Sequence, residues 1–435
     1  MDMDPSGGLT LTISPAADAT AILTGNADLW TANAGINQDI GIYVSPSTAT
    51  GHIVAWKESG GFAGTFSPNA AAVQTALPMT AGVTYTVKLQ WKTNKPAAGD
   101  TIVVGAGPWP GTSLAFSPTR LTARLAAASG VSSVLSNLQY VQTGSDGTTW
   151  KDVDSSSATP LTVMVTPATT SLAILSGNVD LWTANAGINQ DIAINVAEAN
   201  ATQYPGNIVA WKESGGFAGT YSPNAAFVQT VFPMAGGTTY HLKLQWKTNR
   251  ATAGSIVIGA GDWPSGSGVF SPSRLTVQLM PMSAVSARVS NLQYTLANSN
   301  GDSWSDMDTT STTPLTMMVT PATNCLAIIS GNADLWTTKA GYNQDIGISV
   351  SPTSVAGNIV AWKESGGFAG TYSPNAAFVQ AAVPLAAGTQ YTIKLQWKTN
   401  KASNGAVIVV GAGPWPGNTT TFSPTTLTTQ LLGCS

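Results

Sequence analysis

The residue types that could do chemistry come in sets of three. Asp28, Asp39 and Glu58 return as Asp180, Asp191 and Glu213, and again as Asp334, Asp345 and Glu364. Two carboxylates flanking a glycosidic bond can hydrolyse it, one as acid and the other as nucleophile or base. Their surroundings argue for a plainer role. Asp28 and Asp39 stand among Asn, Gly and Thr, the composition of turns in which such side chains cap backbone amides. Lys57 and Glu58 are adjacent on an apparent strand, so they face opposite ways and are expected to pair across strands. His52 and His241 occupy non-equivalent positions, so no histidine triad or histidine-bearing metal cluster can recur in every copy. Gly105, Gly107 and Gly111 loosely mimic a dinucleotide loop, but no helical pattern follows to hold a phosphate. No catalytic set and no cofactor is expected.

Asp146, Asp152 and Asp154, with Asp302, Asp306 and Asp308, make oxygen-rich segments of the sort that can hold Ca²⁺. Their spacing matches no defined calcium loop, so solvated turns are expected and no metal. Tryptophan is the more informative type, with fourteen in the chain. Trp91, Trp246 and Trp397 alternate with polar residues and read as core, while Trp30 and Trp56 fit either core or rim. Trp109, Trp263 and Trp415 lie between Gly and Pro in turn-like loops. There an indole can stack on a sugar or anchor a protein interface, or fold back and cap the end of a sandwich. Phe62, Phe217 and Phe368, in Gly-rich loops, form a second contact set. The two cysteines, Cys325 and Cys434, both fall in the third copy, where a bridge would pin the last strand.

The elements that must position these residues repeat with a period of about 150 residues. Gly25-Asn26-Ala27-Asp28-Leu29-Trp30 recurs, nearly unchanged, ending at Trp182 and Trp336. Trp56-Lys57-Glu58-Ser59-Gly60-Gly61 recurs at Trp211 and Trp362, and Leu89-Gln90-Trp91-Lys92-Thr93-Asn94 at Leu244 and Leu395. A segment ending in Trp150, and again in Trp304, stands before the second and third copies but not within the first. The expected domains are therefore residues 1–129, 130–283 and 284–435, the last two each led by such an inter-module strand segment. Extra residues around Gln203-Tyr204-Pro205 mark a loop insertion in the middle copy.

Tyr85, Val87, Leu89 and Trp91 alternate with Thr86, Lys88, Gln90 and Lys92, the period of a half-buried strand. Ile40, Ile42 and Val44 alternate likewise, as do Leu9, Leu11 and Ile13, and Leu121, Ala123 and Leu125. Ile102-Val103-Val104 reads as a more buried strand, and residues 69–73 as one helical turn at most. The expected class is all-β: three tandem antiparallel β-sandwich domains of eight to ten strands each. The run Ala81 to Trp91 and the closing run Ser117-Pro118 to Leu125 resemble jelly-roll modules of the C1q/TNF-like or phage-fibre-head kind. That resemblance implies binding, adhesion or trimerisation rather than catalysis. It leaves two arrangements open, a pseudo-trimer and a linear string.

Charged residues are 9% of the chain, with a net charge of −3 and no basic run, which argues against phosphate-neutralising nucleic-acid binding. No stretch approaches the roughly 18 apolar residues of a membrane span, and the first residues lack the basic and apolar regions of a signal peptide. A surface of Thr, Ser, Asn, Gly and Ala suits an extracellular, cell-surface or virion protein. The expected function is structural or adhesive, with protein partners or self-association. The alternative is a lectin-like array binding glycans through its loop tryptophans.

Overall fold

The computed structural model describes all residues except 32, 34, 60–67, 98, 100, 108–115, 156–160, 184, 199–205, 215–222, 262–269, 309–314, 354–356, 366–373, 414–421 and 435. Among the described residues the chain is all-β, with thirty strands, every pairing antiparallel, and two short 3-10 turns. In the first module β1 (Thr10–Ile13), β6 (Tyr85–Thr93), β3 (Gln38–Pro46) and β4 (His52–Ser59) form one sheet in that order. The facing sheet is centred on β2 (Ala19–Thr31). It pairs with β5 (Asn69–Met79) along one edge and with β7 (Ile102–Val104) and β8 (Arg120–Ala127) along the other.

The alternation in β6 sends Tyr85, Val87 and Leu89 between the sheets, against Ala21, Leu23, Ala27 and Leu29 of β2. Gly25 marks where the sheets approach closest: a Cβ there would stand 2.6 Å from Leu89 Cδ2. Gly177 and Gly331 make the same concession to Leu244 and Leu395. A one-residue slip of β6 would bury Lys88, so this register is strongly specified.

Strand pairing stays within residues 1–127, 131–280 and 285–432. The second and third modules each carry added strands. Val131–Ser136 lies on the outer edge of Ser273–Met280, and Tyr140–Thr143 on Ser255–Ile258. Val285–Ser290 and Tyr294–Ala297 cover the same edges in the third module. Among the described residues those modules therefore have eleven strands each, more than expected, against eight in the first.

Several local expectations are corrected. Asp28 and Asp39 lie within β2 and β3, not in turns. Residues 69–73 open an eleven-residue strand rather than a helical turn. Ile102, Val103 and Val104 are only half-buried, although their counterparts Val257, Ile258, Val409 and Val410 are buried. Trp246 and Trp397 are core, but Trp91 is half-buried. Cys325 and Cys434 are disulfide-bonded, their Cα atoms 5.2 Å apart. The insertion at residues 203–205 lies outside the described residues.

The modules are not strung out in a line. They close into a ring about a pseudo-threefold axis. There β5 meets its counterparts Asn224–Met234 and Asn375–Leu385, and each of the three strands touches both others.

Candidate functional site: the seams between modules

Each axial strand pairs with its own sheet along one edge only. The other edge would present bare amides and carbonyls, the usual hazard of an edge strand. The neighbouring module reaches it with a carboxamide. Asn178 donates from Nδ2 to Ala72 O at 3.0 Å, and its Oδ1 accepts from Gln74 N at 3.0 Å. A carboxamide is a peptide group on a side chain, so Asn178 acts as a one-residue strand. Asn332 does the same to Phe227 O and Gln229 N, and Asn26 to Phe378 O and Gln380 N. Each also donates within its own module, to Ala226 O, Ala377 O and Ala71 O. All three are buried, and with donor and acceptor occupied the burial is tolerated.

On the axis the side chains form layers. Asn69 donates to Asn224, Asn224 to Asn375 and Asn375 back to Asn69, a closed cycle of carboxamides. Each also donates to a serine of its own module, Ser59, Ser214 or Ser365. Next to this layer sit Ala72, Phe227 and Phe378, all fully buried, with the two rings 4.4 Å apart. Further along, Gln74, Gln229 and Gln380 line a small polar cavity of about 30 Å³, room enough for water.

Away from the axis, every seam repeats one arrangement. Asp180 Oδ2 of the second module accepts from Glu58 N of the first at 3.2 Å. Lys57 beside it donates to Pro272 O and lies 4.0 Å from Asp180. The third module serves the second alike, through Asp334 to Glu213 N and Lys212 to Pro424 O. The first module closes the ring on the third, through Asp28 to Glu364 N and Lys363 to Pro118 O. The contact is head-to-tail, and after three modules the rotation closes. Lys57 thus finds its partners across modules, while the Glu58 carboxylate accepts from Asn37 and Asn94 of its own module and only its amide crosses the seam. The position opposite Glu58 on the next strand is Asp39, a like charge.

That crowding sets the titration behaviour. Burial holds the Glu58 carboxyl well above the usual range, and Asp39 beside it adds to the shift. The Asn37 amide, at 2.7 Å, opposes it. Glu213 and Glu364 are raised for the same reasons. Asp39 and Asp345 are pushed up to about 6 by burial, against the pull of Lys92 and Lys398. Burial raises Asp28, Asp180 and Asp334 too, the last to about 6. It lowers Lys57 to about 8 and lowers Lys212 and Lys363. Shifted carboxyls often mark catalytic sites, but ion-pair networks produce them as well. Asp180 is fully buried, whereas Asp39 and Glu58, each 4% exposed, stand at the wall of an open groove.

The remaining sequence candidates fall elsewhere. Trp109, Trp263, Trp415, Phe62, Phe217 and Phe368 lie outside the described residues. Asp146 caps the amides of Thr148 and Thr149, and Asp152 takes Lys243 and Gln245. Two open grooves flank the seams. One, of about 500 Å³, runs beside Ile53, Trp56 and Trp91 and is walled in part by Asp39 and Glu58. The other, of about 460 Å³, runs beside Trp150, Trp211 and Phe422. Sequence reasoning missed the seam asparagines. The available signal was a polar residue recurring unchanged inside an apolar run.

No family model matches this chain. No curated protein matches it either. Among solved structures, a chain of infectious bursal disease virus, Gx strain, is similar at 10% identity over 70% of this chain and 76% of that one, with a TM-score of 0.19. The VP2 subviral particle of infectious bursal disease virus is similar at 11% identity, over 70% and 77%, with a TM-score of 0.19. A chain of the lipid-containing bacteriophage PM2 is similar at 10% identity, over 97% and 99%, with a TM-score of 0.18. Scores this low describe no shared arrangement of the whole chain.

Proposed function

We propose that this protein is a non-catalytic structural component of a virion or surface assembly, its working unit the closed ring of three β-sandwich modules. The carrying observation is the seam. The same buried Asp, Lys and Asn are spent three times over on holding neighbouring modules together. Fusing three modules into one chain removes the concentration dependence of a trimer and supplies a threefold block to symmetric partners. The domain limits near residues 129 and 283 are taken as those of the folding units. Negative-stain microscopy of the concentrated protein tests the reading. Trefoil-shaped particles that associate into larger regular assemblies support it. Particles that stay dispersed at every concentration, together with hydrolase activity lost in Asp39→Asn, would overturn it.

A second reading, glycan binding, draws on the tryptophan-lined grooves. A glycan array read with the triple variant Trp109→Ala, Trp263→Ala, Trp415→Ala and with Trp56→Ala separates loop from groove binding. A blank array removes this reading.

A further inference from the structure

The axial cavity holds a charge that the ring does not balance. Arg124 of β8 and its counterparts Gln278 and Gln430 all line it, together with Gln74, Gln229 and Gln380. Two modules thus bring a neutral carboxamide to this layer, and the first brings a guanidinium. The alternation of β8 explains the direction. Leu121 and Ala123 pack on the core of the first module, so Thr122 and Arg124 face the opposite way, towards the axis.

Arg124 Nε and Nη1 are shut off from solvent and have no hydrogen-bond partner. Nη2 donates to the sulfur of Met280, a weak acceptor. Among the described residues no carboxylate pairs with Arg124, and burial alone moves its pKa, down to about 10. Other buried cations of the ring are better served. Lys57, Lys212 and Lys363 each donate to a carbonyl and each feel an aspartate of the neighbouring module. Arg120 donates to Val360 O, and Arg274 to Ser133 Oγ. A guanidinium enclosed beside a thioether is costly unless something negative or polar meets it.

The cavity wall has the polarity that an anion needs. The carbonyl oxygens of the axial glutamines are already taken. Gln74 Oε1 accepts from Ser176 Oγ at 2.6 Å, Gln229 Oε1 from Ser330 Oγ at 2.6 Å, and Gln380 Oε1 from Thr122 Oγ1 at 2.5 Å. What these carboxamides keep for the cavity is N–H. Ile22, Ile174 and Ile328, all buried, complete the lining. The volume, about 30 Å³, is roughly twice the least that one water needs, so a halide fits and a sulfate-sized oxyanion does not. We infer that this cavity binds a small monovalent anion of the chloride class, held by Arg124 and by the amide N–H groups of the axial glutamines. The anion balances the guanidinium and ties all three modules to one point on the axis. The inference goes beyond the assembly role and does not depend on it.

The test uses the full chain and chloride, exchanged for gluconate at constant ionic strength so that screening stays fixed. Gluconate is too large for the cavity. The melting temperature should rise with chloride, by about 1–2 °C for each tenfold increase above its Kd. Arg124→Gln, which places in the first module the residue that the other two carry, should fold and lose this dependence. Gln278→Glu offers Arg124 a carboxylate in place of the anion, since both side chains reach the Met280 sulfur, and should lose it too. Crystals grown in bromide should show an anomalous peak between Arg124 and the axial glutamines. A melting temperature indifferent to chloride, an equal response in Arg124→Gln, or no bromide in the cavity overturns the proposal, and water alone then fills the site.

Discussion

Removing the Asn178 carboxamide strips Ala72 O and Gln74 N of their cross-module partner. Asn178→Ala is expected to cost about 2–4 kcal/mol in urea unfolding, because buried backbone groups are left unpaired. A cost below about 0.5 kcal/mol would contradict the side-chain-as-strand reading. On the axis, Phe227→Ala should cost about 3–5 kcal/mol through the cavity it leaves. Ala72→Phe should also destabilise, by about 1–3 kcal/mol, since the position is already enclosed beside two rings. The carboxyls predict an inverted pH profile. A carboxyl raised in the folded state binds its proton more tightly there than in the unfolded chain. Its stabilisation is complete below its unfolded pKa and is lost as pH rises through its folded pKa. For Asp39 and Asp345 that window runs from about 3.8 to about 6. Unfolding free energy should therefore fall between pH 4 and pH 7, by about 2 kcal/mol for each such carboxyl. Lys57, lowered to about 8, works the other way and returns stability as pH climbs from about 8 towards 10.5. A chain more stable at pH 7 than at pH 4 would show that the seam carboxyls are ionised and paired.

At the scale of the element, the last strand of the third module, Thr425–Leu432, is followed by the cysteine that ties it to Cys325. Closing a loop of this length stabilises by about 5 kcal/mol in the chain-entropy view. Cys434→Ser should lower the melting temperature and speed amide exchange in residues 425–432 more than in residues 273–280. Equal exchange in both strands would mean that the bridge adds nothing local. How legible an element was depended on how many faces it buries. β6 was readable because one face meets the core and the other meets solvent, so its period of two survives in the residue types. β2 and β5 were not. Both faces of Ala70, Ala71 and Ala72 are enclosed, and Asn26 and Asp28 point into a neighbouring module. A polar residue facing a seam looks, in sequence, like one facing water. That is why a central strand read as a turn, and why the seam chemistry was taken for capping.

The whole molecule is an ordered ring rather than three equal beads. The seams follow the threefold relation closely, but the periphery and the axis break it. Among the described residues, two modules carry added edge strands that are not seen in the first, and two axial phenylalanines meet one alanine. The repeat in the sequence was enough to expect one fold three times. It could not decide between ring and string, because that choice rests on side chains that meet only between modules. Small-angle X-ray scattering of the dilute protein decides it most directly. A closed ring of 435 residues should have a radius of gyration of about 22 Å, the value of one compact body. A radius above about 30 Å, as for three modules in line, would contradict the ring and the structural role built on it.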